Sequence, residues 1–286
     1  MFLKNYSVYK LKLTSTSQNS NLSNKSIKNK EVNYKFPGLN LGVVIPAYNE
    51  ELNIGRTLDQ IPKNISDNLC VIVVDDGSKD KTYEIASKYD ITILKHPKNR
   101  GNGAATKTGL EFCREKNFEL VIILDADGQH PPKYIDDFIT SIMEDSVEFV
   151  IGNRFKQYYN MDVNRKLCSK LMTAFYFLFL HKKIADPTNG YRALSSKLIQ
   201  NIEFESEYSL TQEMLFKILP YYKYKEIPIK LNPRDNGESF IKIKNYLTKI
   251  VLLFIKFYVF PKIKRITHKI LSEEFRNRVK TYYLKT

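Results

Sequence analysis

The densest oxygen chemistry in the chain follows a short apolar run, in Leu124-Asp125-Ala126-Asp127-Gly128-Gln129-His130-Pro131-Pro132. On an extended segment, alternation turns Asp125, Asp127 and Gln129 to one side. Three oxygen side chains gathered this way make hard ligands for Mg²⁺ or Mn²⁺, with coordination positions left open for diphosphate oxygens. Unpaired carboxylates buried behind an apolar strand are strongly unfavourable, so a bound cation is the better reading than a turn of solvated acids. His130 serves only to fix the loop in the simplest account.

Other polar groups stand at equivalent places. Asp75 and Asp76 precede Gly77-Ser78, and two adjacent carboxylates repel unless they meet donors or a cation. A nucleoside's N–H and O–H groups would serve, and so would an Asp-Gly turn with a Ser cap. Pro46-Ala47-Tyr48-Asn49-Glu50 offers a ring to stack on a base and a carboxylate for ribose donors, although Pro and Asn also punctuate strand ends. Asn99-Arg100-Gly101-Asn102-Gly103 is a glycine-bearing turn into a helix, where backbone N–H groups can approach a diphosphate or simply close a turn.

Cations come later. Arg154, Arg165 and Arg192 could clamp a phosphate by paired N–H donors, while any one alone reads equally well as an ion pair. Arg234-Asp235-Asn236-Gly237-Glu238-Ser239 has the make-up of a polar lid. Glu213, near a helix start, is a minor acidic candidate that needs no catalytic role.

Elements must hold these groups at one place. Apolar, β-branched runs at 41–45, 71–74, 91–94, 120–124 and 149–151 alternate with amphipathic stretches at 50–61, 81–88, 104–114 and one carrying Ile135, Phe138, Ile139 and Ile142. Runs this apolar are buried on both faces, which predicts an α/β domain with a mainly parallel sheet flanked by helices. In such sheets ligands bind beyond the carboxyl ends of the strands, where the polar residues above stand.

Charge is uneven. The chain totals +14 over 286 residues; residues 1–40 contribute +6 and residues 242–286 contribute +10, leaving 41–241 near −2. Basic ends suit an anionic membrane surface or a nucleic acid, and simple solvated lysines account equally well for the first of them. Residues 14–30 are almost all Ser, Thr, Asn and Lys, which predicts a disordered basic leader within 1–40, a catalytic domain over 41–240 and a basic amphipathic helical tail over 241–286. The apolar stretches 171–180 and 247–260 fall short of the roughly 20 residues needed to cross a bilayer, so attachment is expected to be peripheral. Three separated cysteines without a CxxC pair exclude a zinc site and imply a reducing compartment, and no signal-peptide run opens the chain. The expected location is the cytoplasmic face of a membrane.

In order, VVIPAYNE, VVDDGSKDKT, NRGNGAATKTGL, ILDADGQHPP, IGNRF, DPTNGYR and RDNGES resemble the family 2 glycosyltransferases of the GT-A fold, closest to dolichyl-phosphate mannose synthases and related polyprenyl-phosphate hexose synthases. The likeness runs from about Leu41 to Ser239. It implies that Pro46, Tyr48, Glu50, Val74, Asp76, Asp125 and Ala126 hold the nucleotide-sugar, that Asp125, Asp127 and Gln129 hold the metal and diphosphate, that Arg154 and Arg165 face a lipid phosphate acceptor, and that Arg234 and Ser239 close over the donor. Where mannose synthases continue Gly-Glu-Ser-Lys, this chain has Phe240 after Ser239, which leaves the sugar open. Asp127, Arg154 and Arg165 are the residues expected to carry the transfer.

A phosphate monoester acceptor is largely dianionic near neutrality, its second pKa being about 6, so no general base is required. Single displacement with inversion follows. Transfer to a glycan or protein hydroxyl is the rival within enzymes, and its processive form loses weight because the QxxRW motif needs a Trp that this chain lacks. A nucleic-acid partner is not expected: the centre is near-neutral with an acidic metal site, unlike a groove for a phosphate backbone.

Overall fold

A computed structural model describes residues 7–10, 32–156, 163–207, 209–232 and 250–264. Its centre is one eight-stranded sheet of order β1-β4-β3-β2-β5-β7-β6-β8. The strands are β1 (Ser7–Lys10), β2 (Leu41–Ala47), β3 (Leu69–Asp75), β4 (Thr92–Lys95), β5 (Leu120–Ile123), β6 (Phe149–Asn153), β7 (Arg192–Ser195) and β8 (Tyr224–Pro228). The four strands β4, β3, β2 and β5 run parallel, as does the β6–β8 pair; β7 is antiparallel to both β5 and β6, and β1 antiparallel to β4.

The five apolar runs of the sequence are β2 to β6, buried on both faces. Alternation divides each between two cores. Val44, Ile72, Val74 and Val121 pack with helices α3 (Asn102–Glu115), α5 (Val163–Leu180), α6 (Ser196–Asn201) and α7 (Leu210–Ile218), and with residue Ile250. Val43, Ile45, Val73 and Ile122 pack with α1 (Ile54–Asp59), α2 (Thr82–Ala86) and α4 (Ile135–Glu144). Close approach decides where α3 lies: a Cβ on Gly109 would stand 2.4 Å from Val44 Cγ1, so only glycine lets this helix settle against β2. That contact holds the helix's leading turn, Asn99 to Gly103, over the strand ends.

Three strands went unread in the sequence. Ser7–Lys10, inside the stretch expected to be a disordered leader, pairs with β4. The other two, β7 and β8, complete the sheet on the far side of β5. No helix among the described residues is long and apolar enough to cross a membrane. Of the expected basic tail, residues 250–264 are helical, with a π-turn at Ile255–Val259, and 241–249 and 265–286 lie outside the described residues.

Candidate active site

The carboxyl ends of β2, β3 and β5 open into a cleft of about 430 Å³, a size suited to a small-molecule ligand. From β2 come Pro46, Ala47, Tyr48 and Glu50; from β3, Asp76; from the turn before α3, Asn99 and Asn102; from β5, Asp125, Ala126, Asp127 and Gln129. Strand alternation keeps Val74 out of this set, because it faces the α3 side of the core and is fully buried. Its side chain belongs to the core beneath Asp76, so any contact with a nucleoside would come from its backbone.

The segment after β5 is a turn rather than an extended strand, with Gly128 at φ +73°. Simple alternation therefore does not explain why Asp125, Asp127 and Gln129 meet. The turn does so instead, half-burying the three side chains while Ala126, Gly128 and His130 point inward. Thr57 Oγ1 donates to Ala126 O at 3.1 Å and Gln129 N to Asp127 Oδ1 at 3.0 Å, pinning the turn from α1 and from within. His130 is buried, its Nδ1 accepting from Asp125 N at 3.0 Å.

Two carboxylates and an amide facing one cleft supply only hard oxygen donors. Among the described residues no group of three or more His, Cys, Asp or Glu side chains encloses a metal. That donor set fits a divalent ion such as Mg²⁺ or Mn²⁺ taking its remaining ligands from a phosphate-bearing substrate, and does not fit a closed structural site.

Asp75 and Asp76 meet their donors inside the protein. Asp75 Oδ1 accepts from Ser78 N at 2.9 Å, and Lys95 Nζ stands 3.7 Å from Oδ2. Asp76 accepts from Arg100 N and Gly101 N, at 3.0 Å and 2.6 Å, and pairs with His96 Nδ1 at 2.6 Å. The glycine-bearing turn is thus latched onto a strand-end carboxylate, which presents Asn99 and Asn102 to the cleft. Gly77, at φ +72°, allows the latch: a Cβ there would lie 2.6 Å from the Lys98 carbonyl carbon.

The arginines separate. Arg154 is buried against Asp186, Nε to Oδ2 and Nη2 to Oδ1 both at 2.7 Å, with Nη2 also donating to Thr188 Oγ1 at 2.7 Å. Arg192 is fully buried and donates to the carbonyls of Asn189, Thr211 and Pro187, so it is a strut of the fold and not a phosphate clamp. Arg165 lies in the first turn of α5. Glu213 is buried too, accepting from Glu205 N and Ser206 N with Lys217 Nζ 2.8 Å away, and stands apart from the cleft. Arg234 and Ser239 lie outside the described residues, but Asn232, just before them, is tied to the metal-loop candidate: its N donates to Gln129 O at 3.0 Å and its Nδ2 to Gly128 O at 2.9 Å.

Residue reading missed His96, Asp186 and Asn189 as organisers of the site. The strand-end groups they hold, Asp76 for His96, Arg154 for Asp186 and Gly152 O for Asn189, are 20, 32 and 37 positions away, so no local pattern marks that role. Asp186 and Asn189 nevertheless sit in Asp186-Pro187-Thr188-Asn189-Gly190-Tyr191-Arg192, a stretch already singled out for its arginine.

Comparison with known proteins matches this geometry. UDP-N-acetylglucosamine–dolichyl-phosphate N-acetylglucosaminyltransferase of Methanococcus voltae is 33% identical over 55% of this chain and 70% of its own length. Dolichol-phosphate mannosyltransferase of Pyrococcus furiosus is 31% identical over 72% of this chain and 60% of its own. Glucosyl-3-phosphoglycerate synthase of Mycobacterium tuberculosis, solved with Mn²⁺, uridine diphosphate and glucosyl-3-phosphoglycerate, superposes with TM-score 0.58 over 77% of this chain and 80% of that one at 17% identity, which establishes the GT-A fold. Residues 42–203 match the family model described as glycosyl transferase family 2. Spanning more than half of the chain and containing every strand end that lines the cleft, that match makes the protein a glycosyltransferase of family 2.

Proposed function

We propose that the protein transfers a hexose from a GDP- or UDP-linked sugar to a polyprenyl phosphate such as dolichyl phosphate, with inversion and dependence on Mg²⁺ or Mn²⁺. The observation that carries this is the shared cleft: Asp125, Asp127 and Gln129 stand in the same 430 Å³ as Tyr48, Glu50 and Asp76. A nucleoside diphosphate has its charge and its base at opposite ends and would use both sets. The named relatives act on dolichyl phosphate, and the Mycobacterium enzyme binds Mn²⁺ with uridine diphosphate, which supports the same assignment.

Each residue then has a task. Pro46 and Tyr48 would flank the base, Glu50 would meet donors of the nucleoside, Asp76 would line that end of the cleft while holding the Arg100–Gly101 turn, and Ala126 would line the diphosphate. Asp125, Asp127 and Gln129 would hold the divalent ion. When bound, that ion offsets charge on the departing diphosphate. The Ala126 carbonyl held by Thr57 and the Asp125 N–H held by His130 would keep the loop from reorganising during transfer.

On the acceptor side, Arg154 and Arg165 would orient the phosphate, Arg154 from a direction preset by Asp186. A phosphate with a second pKa of about 6 needs no proton removed, so the acceptor would require no general base. Asn232 is anchored beside Gln129, and Arg234 and Ser239, which lie outside the described residues, would close over the donor.

Exposed apolar side chains on α5 (Leu171, Phe177, Leu178) and on 250–264 (Leu252, Phe260) alternate with exposed lysines. This is the make-up of helices lying in a headgroup layer, which supports peripheral binding to a membrane surface, proposed to be the cytoplasmic face. No nucleic-acid partner is proposed. The test is incubation with radiolabelled GDP-mannose, UDP-glucose or UDP-N-acetylglucosamine, Mn²⁺ and a short polyprenyl phosphate, followed by organic extraction. Label in the organic phase is the expected result; label released only as free sugar, or none transferred from any donor, would overturn the proposal.

A further inference from the structure

We infer that Asn189 is a positioning residue that, with His130, fixes the donor-side carboxylate Asp125 relative to the acceptor-side Arg154. The inference rests on the reading above of which side binds donor and which acceptor. It concerns two side chains that touch neither substrate.

A chain of hydrogen bonds runs across the sheet between β5 and β6. Asp125 N donates to His130 Nδ1 at 3.0 Å, which requires a lone pair on Nδ1 and hence the proton on Nε2. That Nε2–H donates to Asn189 Oδ1 at 3.0 Å. Two backbone groups set the amide the right way round: Asn189 Nδ2 donates to Gly152 O at 2.7 Å, and Oδ1 accepts from Tyr191 N at 3.1 Å. Gly152 lies two residues before Arg154, whose guanidinium is gripped by Asp186 and Thr188 of the same loop as Asn189.

Little slack remains in this arrangement. His130 is 4% exposed and Asn189 1%. A Cβ on Gly190 would lie 3.3 Å from Asp125 Oδ2, and one on Gly152 would lie 2.9 Å from Asn189 Nδ2. The loop 186–190 therefore abuts the Asp125 carboxylate at one point and holds the Arg154 fork at another. Both ends of a displacement reaction are referenced to one short segment.

Displacement needs the acceptor oxygen and anomeric carbon about 3–3.5 Å apart, and a misplacement of about 1 Å can lower the rate about 100-fold. The nucleoside contacts proposed at the β2 and β3 ends do not pass through Asn189, and the Asp125 turn is also held by Thr57. The signature is thus a fall in kcat with donor affinity retained.

Asn189→Ala removes the three bonds its side chain makes, to His130, Gly152 O and Tyr191 N, and leaves Asp125 N on His130. His130→Asn keeps an oxygen where Nδ1 stands, so Asp125 N remains capped, but it no longer reaches Asn189. Both variants and their combination are assayed in the full chain with whichever of GDP-mannose, UDP-glucose or UDP-N-acetylglucosamine the natural protein uses, with Mn²⁺ and a short polyprenyl phosphate. Binding of the matching nucleoside diphosphate with Mn²⁺ is measured by calorimetry, and Tm by calorimetric scan. Loss of a side chain that orients a site residue lowers activity about 10- to 100-fold.

The expected result is that fall in kcat for each single variant, donor affinity within about threefold of the natural protein, and a double variant no worse than either single one. Should Asn189→Ala fail to fold, His130→Asn alone reports by the same split. Additive losses, a kcat within twofold of natural, or kcat and donor affinity falling together would each overturn the positioning role while leaving the functional reading intact. A natural protein that turns over none of the donors would instead remove that reading, and the inference with it.

Discussion

The guanidinium of Arg154 and the carboxylate of Asp186 meet in a two-pronged ion pair, both bonds at 2.7 Å, with Asp186 fully buried and Arg154 nearly so. Asp186 is itself reached through Glu226 on β8, whose carboxylate accepts from Ala185 N and Asp186 N. Removing one partner of a buried pair leaves an uncompensated charge and costs about 3–5 kcal/mol, whereas replacing both by apolar groups is often close to neutral. Asp186→Ala should therefore lower stability by about that amount in guanidinium denaturation, and Arg154→Met with Asp186→Leu should recover most of it. If Arg154 orients the acceptor, the recovered double variant still transfers sugar at least 100-fold more slowly. Natural turnover in that variant would reduce Arg154 to a structural strut.

Asp127 and Gln129 should separate folding from binding. Both are half-buried at the cleft, and neither belongs to a core cluster. Asp127→Ala is expected to leave Tm within a few degrees of natural while lowering kcat/KM at least 100-fold, since stabilising a leaving diphosphate is worth several kcal/mol. Chelation by EDTA should stop turnover, and added Mn²⁺ should restore it in the natural protein but not in the variant. Turnover that survives chelation would refute metal dependence.

How much of this was visible in the residues follows from physical causes. Strands β2 to β6 were legible because burial on both faces forces continuous apolar runs. Arg192–Ser195 and Tyr224–Pro228 were not, since β7 opens on a buried arginine and β8 carries Lys225 and Glu226 at the sheet edge. The three oxygen side chains after β5 do face one cleft, but by another backbone than expected: a turn with Gly128 at positive φ gathers Asp125, Asp127 and Gln129, where strand alternation was expected. Asp76 was read as seeking donors, and its donors turn out to be Arg100 N, Gly101 N and His96. Such pairings depend on tertiary closure between β3 and the turn before α3, which no spacing announces.

Alkaline conditions should weaken the fold. Burial, then the neighbouring Cys70 thiol, push the Cys113 thiol well above its ordinary 9.0. Burial, then the Asp137 and Asp136 carboxylates, do the same to Tyr191, ordinarily at 10.0, whose hydroxyl donates to Pro131 O at 3.2 Å. Both groups stay protonated in the folded state after they would ionise in the unfolded chain. Their contribution is complete below pH 9 and is lost as pH rises beyond it, because the folded state then binds more protons than the unfolded one. Unfolding free energy measured between pH 8 and 11 should fall, and iodoacetamide at pH 8 should spare Cys113 until denaturant is added. Rapid modification of Cys113 in the folded protein would contradict its placement beneath Gly42.

The proposed membrane attachment can be tested separately from catalysis. Leu171, Phe177 and Leu178 on α5 are 47%, 61% and 66% exposed, although each is a residue whose burial is worth about 1.5–3 kcal/mol. Exposed lysines at 166 and 170, and at 183 beyond the helix, accompany them, as expected where apolar side chains enter acyl chains and cations meet anionic headgroups. Replacing Leu171 and Leu178 by Glu together removes two such insertions and adds repulsion from the lipid. Co-sedimentation with vesicles containing phosphatidylserine should fall by at least 100-fold in affinity, equivalent to about 3 kcal/mol for the two side chains. Transfer to long-chain dolichyl phosphate held in those vesicles should fall with it, while transfer to a short, water-soluble polyprenyl phosphate stays within about twofold, because neither leucine lines the cleft. Equal losses on both acceptors would mean that this face of α5 serves the active site and not a lipid surface.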